Sequence, residues 1–233
     1  MYAGHYAAGL ALKRTFPDIP LWSLFVGVQA ADIAFMALAA IGIEEVTLHP
    51  DRPGPLILGL DFMPWSHSLL TAGLVMAAAL AIGEVMKRRR LGIGLGLAFA
   101  SHWVCDALVH TPDVPLGWSR ATIRVGTSLW NWPVAAFAVE IAWLALATAI
   151  LLQGTSDPRV RKGVLALAVA LGIAQILASF SPGVDVSMWV LAAVAEASFA
   201  AWTVAAWNVE RRSTNAGGPN CQGREHPDDP GGS

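Results

Sequence analysis

Apolar runs separated by short polar or basic segments recur along most of the chain. A helix needs about 20 mostly apolar residues to cross ~30 Å of hydrocarbon. Six runs approach that length: Leu21–Ile43, Ser68–Met86, Leu91–His110, Trp132–Leu152, Val164–Phe180 and Ser187–Trp207, the fifth being the shortest. Trp22, Trp130, Trp132, Trp189 and Trp207 stand near their ends, where amphipathic rings favour the membrane interface. Ala3–Leu12 is too short to span; bounded by Pro17 and Pro20, it reads as a half-helix that packs on the bilayer or dips into it. The pattern therefore predicts an all-α polytopic membrane bundle of about six transmembrane helices plus an N-terminal half-helix. One integral-membrane domain occupies 1–212, and a Gly/Pro/Asn/Asp-rich tail over 213–233 is expected to be disordered.

Composition agrees with that pattern. Only 14% of residues are charged, against about a quarter in soluble domains, and mean hydropathy is +0.53. A net charge of −2 provides no electrostatic footprint for nucleic acid. Cys105 and Cys221 lie in segments of different character and suggest no disulfide framework. The first residues do not form a secretory signal, because the cations follow the apolar stretch and no A-x-A-like site is present. Charge also orients the spans. Lys13-Arg14, Lys87-Arg88-Arg89-Arg90, Arg159/Arg161/Lys162 and Arg211-Arg212 fall on alternate connections. The intervening loops carry Glu44, Glu45, Asp51, Asp61, Asp113 and Asp185, with Arg52, Arg120 and Arg124 as their cations. By the positive-inside rule, both termini are expected in the cytoplasm. No internal repeat is evident, so an inverted-repeat transporter gains no support.

Polar residues inside the spans are few, and each is expensive in lipid. His102, Asp106 and His110 recur at steps of four in SHWVCDALVHTPD, which places them on one helix face. H-x-x-x-D brings an imidazole and a carboxylate within reach of one zinc-like cation. Asp32 lies in mid-span with Gln29 one turn earlier, His67 opens the second span, and His5 sits in the half-helix. Depth counted from the basic side at 1.5 Å per residue is ~12 Å for His5, ~15 Å for Asp32, ~18 Å for His102 and ~24 Å for Asp106. His67 falls near ~30 Å and joins the others only if its span tilts or breaks. Glu140 and Glu196 are isolated and read as structural, Cys105 faces away from the stripe, and His49 and His226 belong to loop and tail. A hydrogen-bonded His102/Asp106 pair that merely joins helices is the bland alternative.

In order and spacing, His5, Asp32, Ser66-His67-Ser68-Leu69-Leu70 and His102/Asp106 followed by Thr111–Leu116 resemble the YdjM-like family of bacterial inner-membrane proteins, described as metal-dependent hydrolases. Met63–Leu70 and Val125–Asn131 are similar to one branch of that family, and the resemblance covers residues 1–145. The chain departs from the family pattern at Phe62 and Met63, which replace a His-Arg pair, and at Ala31-Asp32-Ile33-Ala34, which reduces a P-D-x-D cluster. A more distant similarity links the H-x-x-x-D helix to zinc-dependent phospholipase C and S1/P1-type nucleases. By that analogy Asp32, His67, His102 and Asp106 ligate one ion, and His5 and His110 belong to a second.

These resemblances imply a membrane-embedded hydrolase of phosphoesters or lipids in the bacterial inner membrane. It would use zinc, or manganese, to activate water, with His110 or Asp113 as acid or base and Arg120 or Arg124 on a phosphate. Intramembrane His/Asp stripes also carry ions or protons, so an ion- or proton-coupled transporter or relay is the alternative, followed by a scaffold with a structural metal. The bilayer is the expected partner.

Overall fold

The computed structural model describes residues 1–214, with side chains to Arg211. It is an all-α bundle with two small hairpins. In chain order the elements are α1 (Ala3–Thr15), α2 (Leu21–Ala40), β1 (Glu45–Leu48), β2 (Leu58–Phe62), α3 (Pro64–His67), α4 (Leu69–Val85), α5 (Arg89–Ala107), β3 (Val114–Pro115), β4 (Arg124–Val125), α6 (Pro133–Gln153), α7 (Pro158–Phe180) and α8 (Met188–Thr214). The tail expected from residue 213 lies, beyond Thr214, outside the described residues, as do Cys221 and His226.

Helix limits follow local chemistry. Pro133 and Pro158 occupy first-turn positions of α6 and α7, where a missing N–H is harmless. Asp157 caps α7 by accepting from the Arg159 N–H at 2.8 Å, and Ser68 caps α4 by accepting from the Thr71 N–H at 3.1 Å. Four helices, α2, α6, α7 and α8 as far as Arg211, are long and apolar enough to cross a membrane. The run expected as the second span forms the shorter apolar helix α4. The third forms α5, whose first turn is basic and which carries His102 and Asp106. Outward faces of α7 and α8 expose Val169, Leu177, Val190 and Val194, an apolar surface suited to lipid.

α1 is the expected N-terminal half-helix, and its place is inside the bundle. It is enclosed by other helices, with Ala3, Tyr6, Ala7 and Leu10 fully buried in a core that includes Phe25, Leu144 and Leu171. Its first N–H groups have no cap of their own and would be costly orphans in an apolar bundle. Other helices satisfy them. The Tyr2 and Gly4 N–H groups donate to Glu140 at 2.9 and 3.1 Å, and that of Ala3 donates to Gln175 at 2.8 Å. Glu140 is thus structural, as expected, through a contact no helix can display alone.

α4 and α5 pack backbone to backbone. A Cβ on Gly83 would meet the Gly92 Cα at 2.9 Å, and one on Gly92 would meet the Ala79 carbonyl oxygen at 2.5 Å; small residues permit such approach. The hairpins were not anticipated. β1 and β2 pair antiparallel, Val46 opposite Leu60, and β3 pairs with β4. Short loop strands leave almost no trace among long helical runs, and these cover one end of the bundle. Beneath β2, Phe35, Met36, Leu60, Met63 and Phe199 form a separate core.

Candidate metal centre

Helix periodicity puts His102 and Asp106 on one face of α5, with His110 just past its end, 3.2 Å from Asp106 Oδ1 through Nε2. α2 contributes Asp32, whose Oδ2 accepts from Gln29 Nε2 at 3.3 Å. His67 arrives because the expected second span breaks. The chain is extended at Ser68 (φ −82°, ψ 149°) between α3 and α4, so the His67 ring turns inward. α1 brings His5, stacked on His102 with ring centroids 3.8 Å apart and planes 8° from parallel.

Asp106 is the hub. Its Oδ2 lies 3.0 Å from His102 Nε2 and 3.5 Å from His67 Nε2. Its Oδ1 lies 3.1 Å from His5 Nε2 and 2.6 Å from the amino group of Met1. Asp32 Oδ1 is 3.3 Å from His67 Nε2 and 3.5 Å from His102 Nε2. His5, His67, His102 and Asp106 are buried to within a few per cent, whereas the Asp32 side chain is 21% exposed. Access to the cluster therefore passes Asp32.

Hydrogen bonds outside the cluster set the imidazole tautomers. His102 Nδ1 lies 2.7 Å from the Val28 carbonyl oxygen, which can only accept, so Nδ1 carries a proton and Nε2 is the nitrogen that faces the cluster. His67 Nδ1 lies 2.7 Å from Ser66 Oγ, and that hydroxyl donates to Glu44 Oε2 at 2.6 Å. Ser66 must then accept from His67 Nδ1, which leaves His67 Nε2 to face the cluster as well. His110 Nδ1 donates to Asp113 Oδ1 at 3.0 Å, which turns its Nε2 toward Asp106 Oδ1 at 3.2 Å. The Nε2 atoms of His67 and His102 stand 3.1 Å apart, between two carboxylates. The Met1 amino group is one cation beside these carboxylates; ring protons or a divalent ion would balance the remaining charge. Asp106 Oδ2 and both His5 ring nitrogens are buried without a hydrogen-bond partner, an arrangement that buried polar groups otherwise avoid.

Two sets of ligand atoms lie close enough for one cation each, Asp32/His67/His102 and His5/His102/Asp106. Neutral imidazole nitrogens with carboxylate oxygens suit a divalent ion of the zinc kind, and second-sphere partners that fix the tautomer accompany such ligands. These residues can hold a metal ion.

One residue of the site is missed by the sequence. Glu44, grouped above with loop acids, is fully buried; it accepts from the N–H groups of Trp65 and Ser66, both at 2.9 Å, and from Ser66 Oγ. Conversely, Arg120 is exposed and paired through both terminal nitrogens with Glu45, its guanidinium 4.2 Å from the Phe62 ring centroid. That hydrogen bonding holds the Glu45 carboxyl below its ordinary value. Neither Arg120 nor Arg124 lines the cavity over the cluster, so the expected phosphate role finds no geometric support.

That cavity holds about 290 Å³. Asp32, His67, Asp106 and His110 form one end of it, and α2, α6, α7, α8 and the 53–63 segment surround the rest. Comparison with protein-family models, with curated proteins and with solved structures returns no match for this chain.

Proposed function

We propose that this protein is an integral-membrane, metal-dependent phosphoester hydrolase, with zinc, or manganese in its place, held by Asp32, His67, His102 and Asp106. The observation that carries this reading is the pair of Nε2 atoms, 3.1 Å apart, facing two carboxylates, with each Nδ1 held from outside the cluster. The motif order shared with the YdjM-like family supports it. The same resemblance implies a bacterial inner-membrane protein, and the distribution of Lys and Arg favours cytoplasmic termini. His5, beside Asp106 Oδ1, belongs to a second ion position.

A divalent ion held by Asp32, His67, His102 and Asp106 would lower the pKa of bound water and neutralise charge on phosphoryl oxygens. The chain's own residues supply the remainder. Asp113 holds His110 through Nδ1, with Nε2 toward Asp106 Oδ1 at 3.2 Å, the nitrogen that would take a proton from water. The water oxygen bonds to phosphorus, the ester P–O bond breaks, and the leaving alkoxide recovers the proton from His110. Burial of His5, His67, His102 and Asp106 excludes bulk water, leaving Asp32 at the open side.

The test is the metal content of the full chain, purified without chelators, beside His102→Ala and Asp32→Ala. Stoichiometric zinc or manganese in the wild type, lost in both variants, and hydrolysis of a phosphodiester are expected. A wild type without bound metal would overturn the reading in favour of a proton relay through the same residues. A metal-loaded but inactive protein would leave the centre structural.

A further inference from the structure

The cavity is amphiphilic in a particular sense. At one end stand Asp32, His67, Asp106 and His110; the walls leading away carry Phe35, Met36, Leu58, Leu60, Leu191 and Phe199. Glu140 and Gln175 also reach it; Glu140 Oε2 and Gln175 Oε1 are occupied by the first N–H groups of α1, and the Glu140 carboxylate adds negative charge to the wall. No Lys or Arg is among the lining residues. A sugar or nucleotide placed here would leave its hydroxyls and ring polar atoms unpaired, at a cost of a few kcal/mol each. Among the described lining residues the cation is the Met1 amino group, already paired with Asp106 Oδ1 at 2.6 Å, so a polyanionic head group would find its charge largely unmatched beyond whatever ion the cluster holds. An apolar chain ending in a group of at most one negative charge violates neither constraint.

We infer that the cavity binds one aliphatic chain of a lipid phosphodiester, with the ester at the His/Asp end. This rests on the hydrolase reading of that cluster. The chain buries against α2, α8 and the 53–63 roof, and the phosphodiester, which carries a single charge, lies beside Asp32. A volume of about 290 Å³ has room for roughly ten groups of ~30 Å³, the share of one water in the liquid. Affinity therefore climbs about fourfold per added methylene, from ~0.8 kcal/mol per buried CH₂, and levels off below ten carbons, because the phosphodiester shares the same space.

The experiment uses the full chain in lipid nanodiscs and an octyl phosphodiester with a photoreactive diazirine on its terminal carbon. Peptide mapping is expected to place the label on Leu191, Ala195, Phe199 or Pro55–Leu58. Unlabelled alkyl phosphodiesters should compete with the fourfold-per-methylene dependence, and butyl should compete weakly. Ala195→Trp, which fills the cavity, should cut labelling at least tenfold while metal content, read by elemental analysis, stays at the wild-type level. Labelling confined to outward residues such as Val190 and Val194, or competition indifferent to chain length, overturns the inference. Each outcome separates the two readings. Metal binding with hydrolysis of soluble diesters, but no chain-length dependence, refutes the lipid chain and leaves the hydrolase. Chain-dependent labelling of a protein that holds no metal supports the occupant and refutes the hydrolase.

Discussion

Replacing Glu44 by Gln is the sharpest probe of the centre, because it reverses one hydrogen bond without removing an atom. Two backbone N–H groups, from Trp65 and Ser66, converge on Glu44 Oε1 at 2.9 Å each. An amide NH₂ turned toward them would orphan both donors, at about 1–3 kcal/mol apiece, so the amide oxygen keeps that place. The NH₂ then occupies the Oε2 position, 2.6 Å from Ser66 Oγ, and donates where the carboxylate accepted. Ser66 must turn its proton to His67 Nδ1, which drives the ring proton to Nε2, the atom facing Asp32 at 3.3 Å. A protonated Nε2 cannot ligate. Loss of a second-sphere partner lowers metal affinity about 10–100-fold, or ~1.4–2.7 kcal/mol. The metal-free protein should lose no stability, since the new N–H finds Asp32 as acceptor. The assays are zinc affinity by competition with a chelating dye, the melting temperature of the chelated protein, and ¹⁵N shifts of His67. Wild-type zinc affinity in Glu44→Gln would refute the argument. So would a loss of affinity matched by an equal loss of metal-free stability, the mark of ordinary structural damage.

Other consequences are as direct. Glu140→Leu should orphan the N–H groups of Tyr2 and Gly4, costing on the order of 1–3 kcal/mol each; Glu140→Gln, which can keep an oxygen in place, should unfold close to wild type in the same detergent. Gly126→Ala brings a Cβ to 2.6 Å from the His110 carbonyl oxygen, so it should displace the loop that orients His110 and depress phosphodiester hydrolysis more than tenfold with little change in zinc affinity at Asp32/His67. Chelation should lower the melting temperature of the wild type, by the equivalent of about 4 kcal/mol if the ion had been present at a thousandfold its Kd, and should leave His102→Ala unmoved. The Glu45 carboxyl is held low in the folded protein, so its pairing with Arg120 stabilises above the ordinary glutamate range and is lost as pH falls through the lowered value. Arg120→Ala should raise the Glu45 midpoint measured by NMR.

Much of the architecture is a local property and can be read along the chain. Apolar run lengths mark the helices, prolines mark their starts, and a step of four places His102, Asp106 and His110 on one face, because an α-helix repeats every 3.6 residues. Asp32 and His5 are conspicuous because charge and imidazole are rare in lipid. The remainder depends on what packs against what. His67 reaches the cluster only through the break at Ser68, which straight-helix counting cannot supply. α1 has an unremarkable composition, and its burial is decided by Glu140 and Gln175, far along the chain, meeting its free N–H groups. Glu44 looks like any loop acid until α3 folds its N-terminal N–H groups and Ser66 over it. The tautomers of His67 and His102, on which metal ligation turns, are set by Ser66 and by the Val28 carbonyl. Periodicity tells which side chains share a helix face; desolvation and hydrogen-bond partnership belong to the neighbours that tertiary packing brings, and these decide which acids and imidazoles become a site.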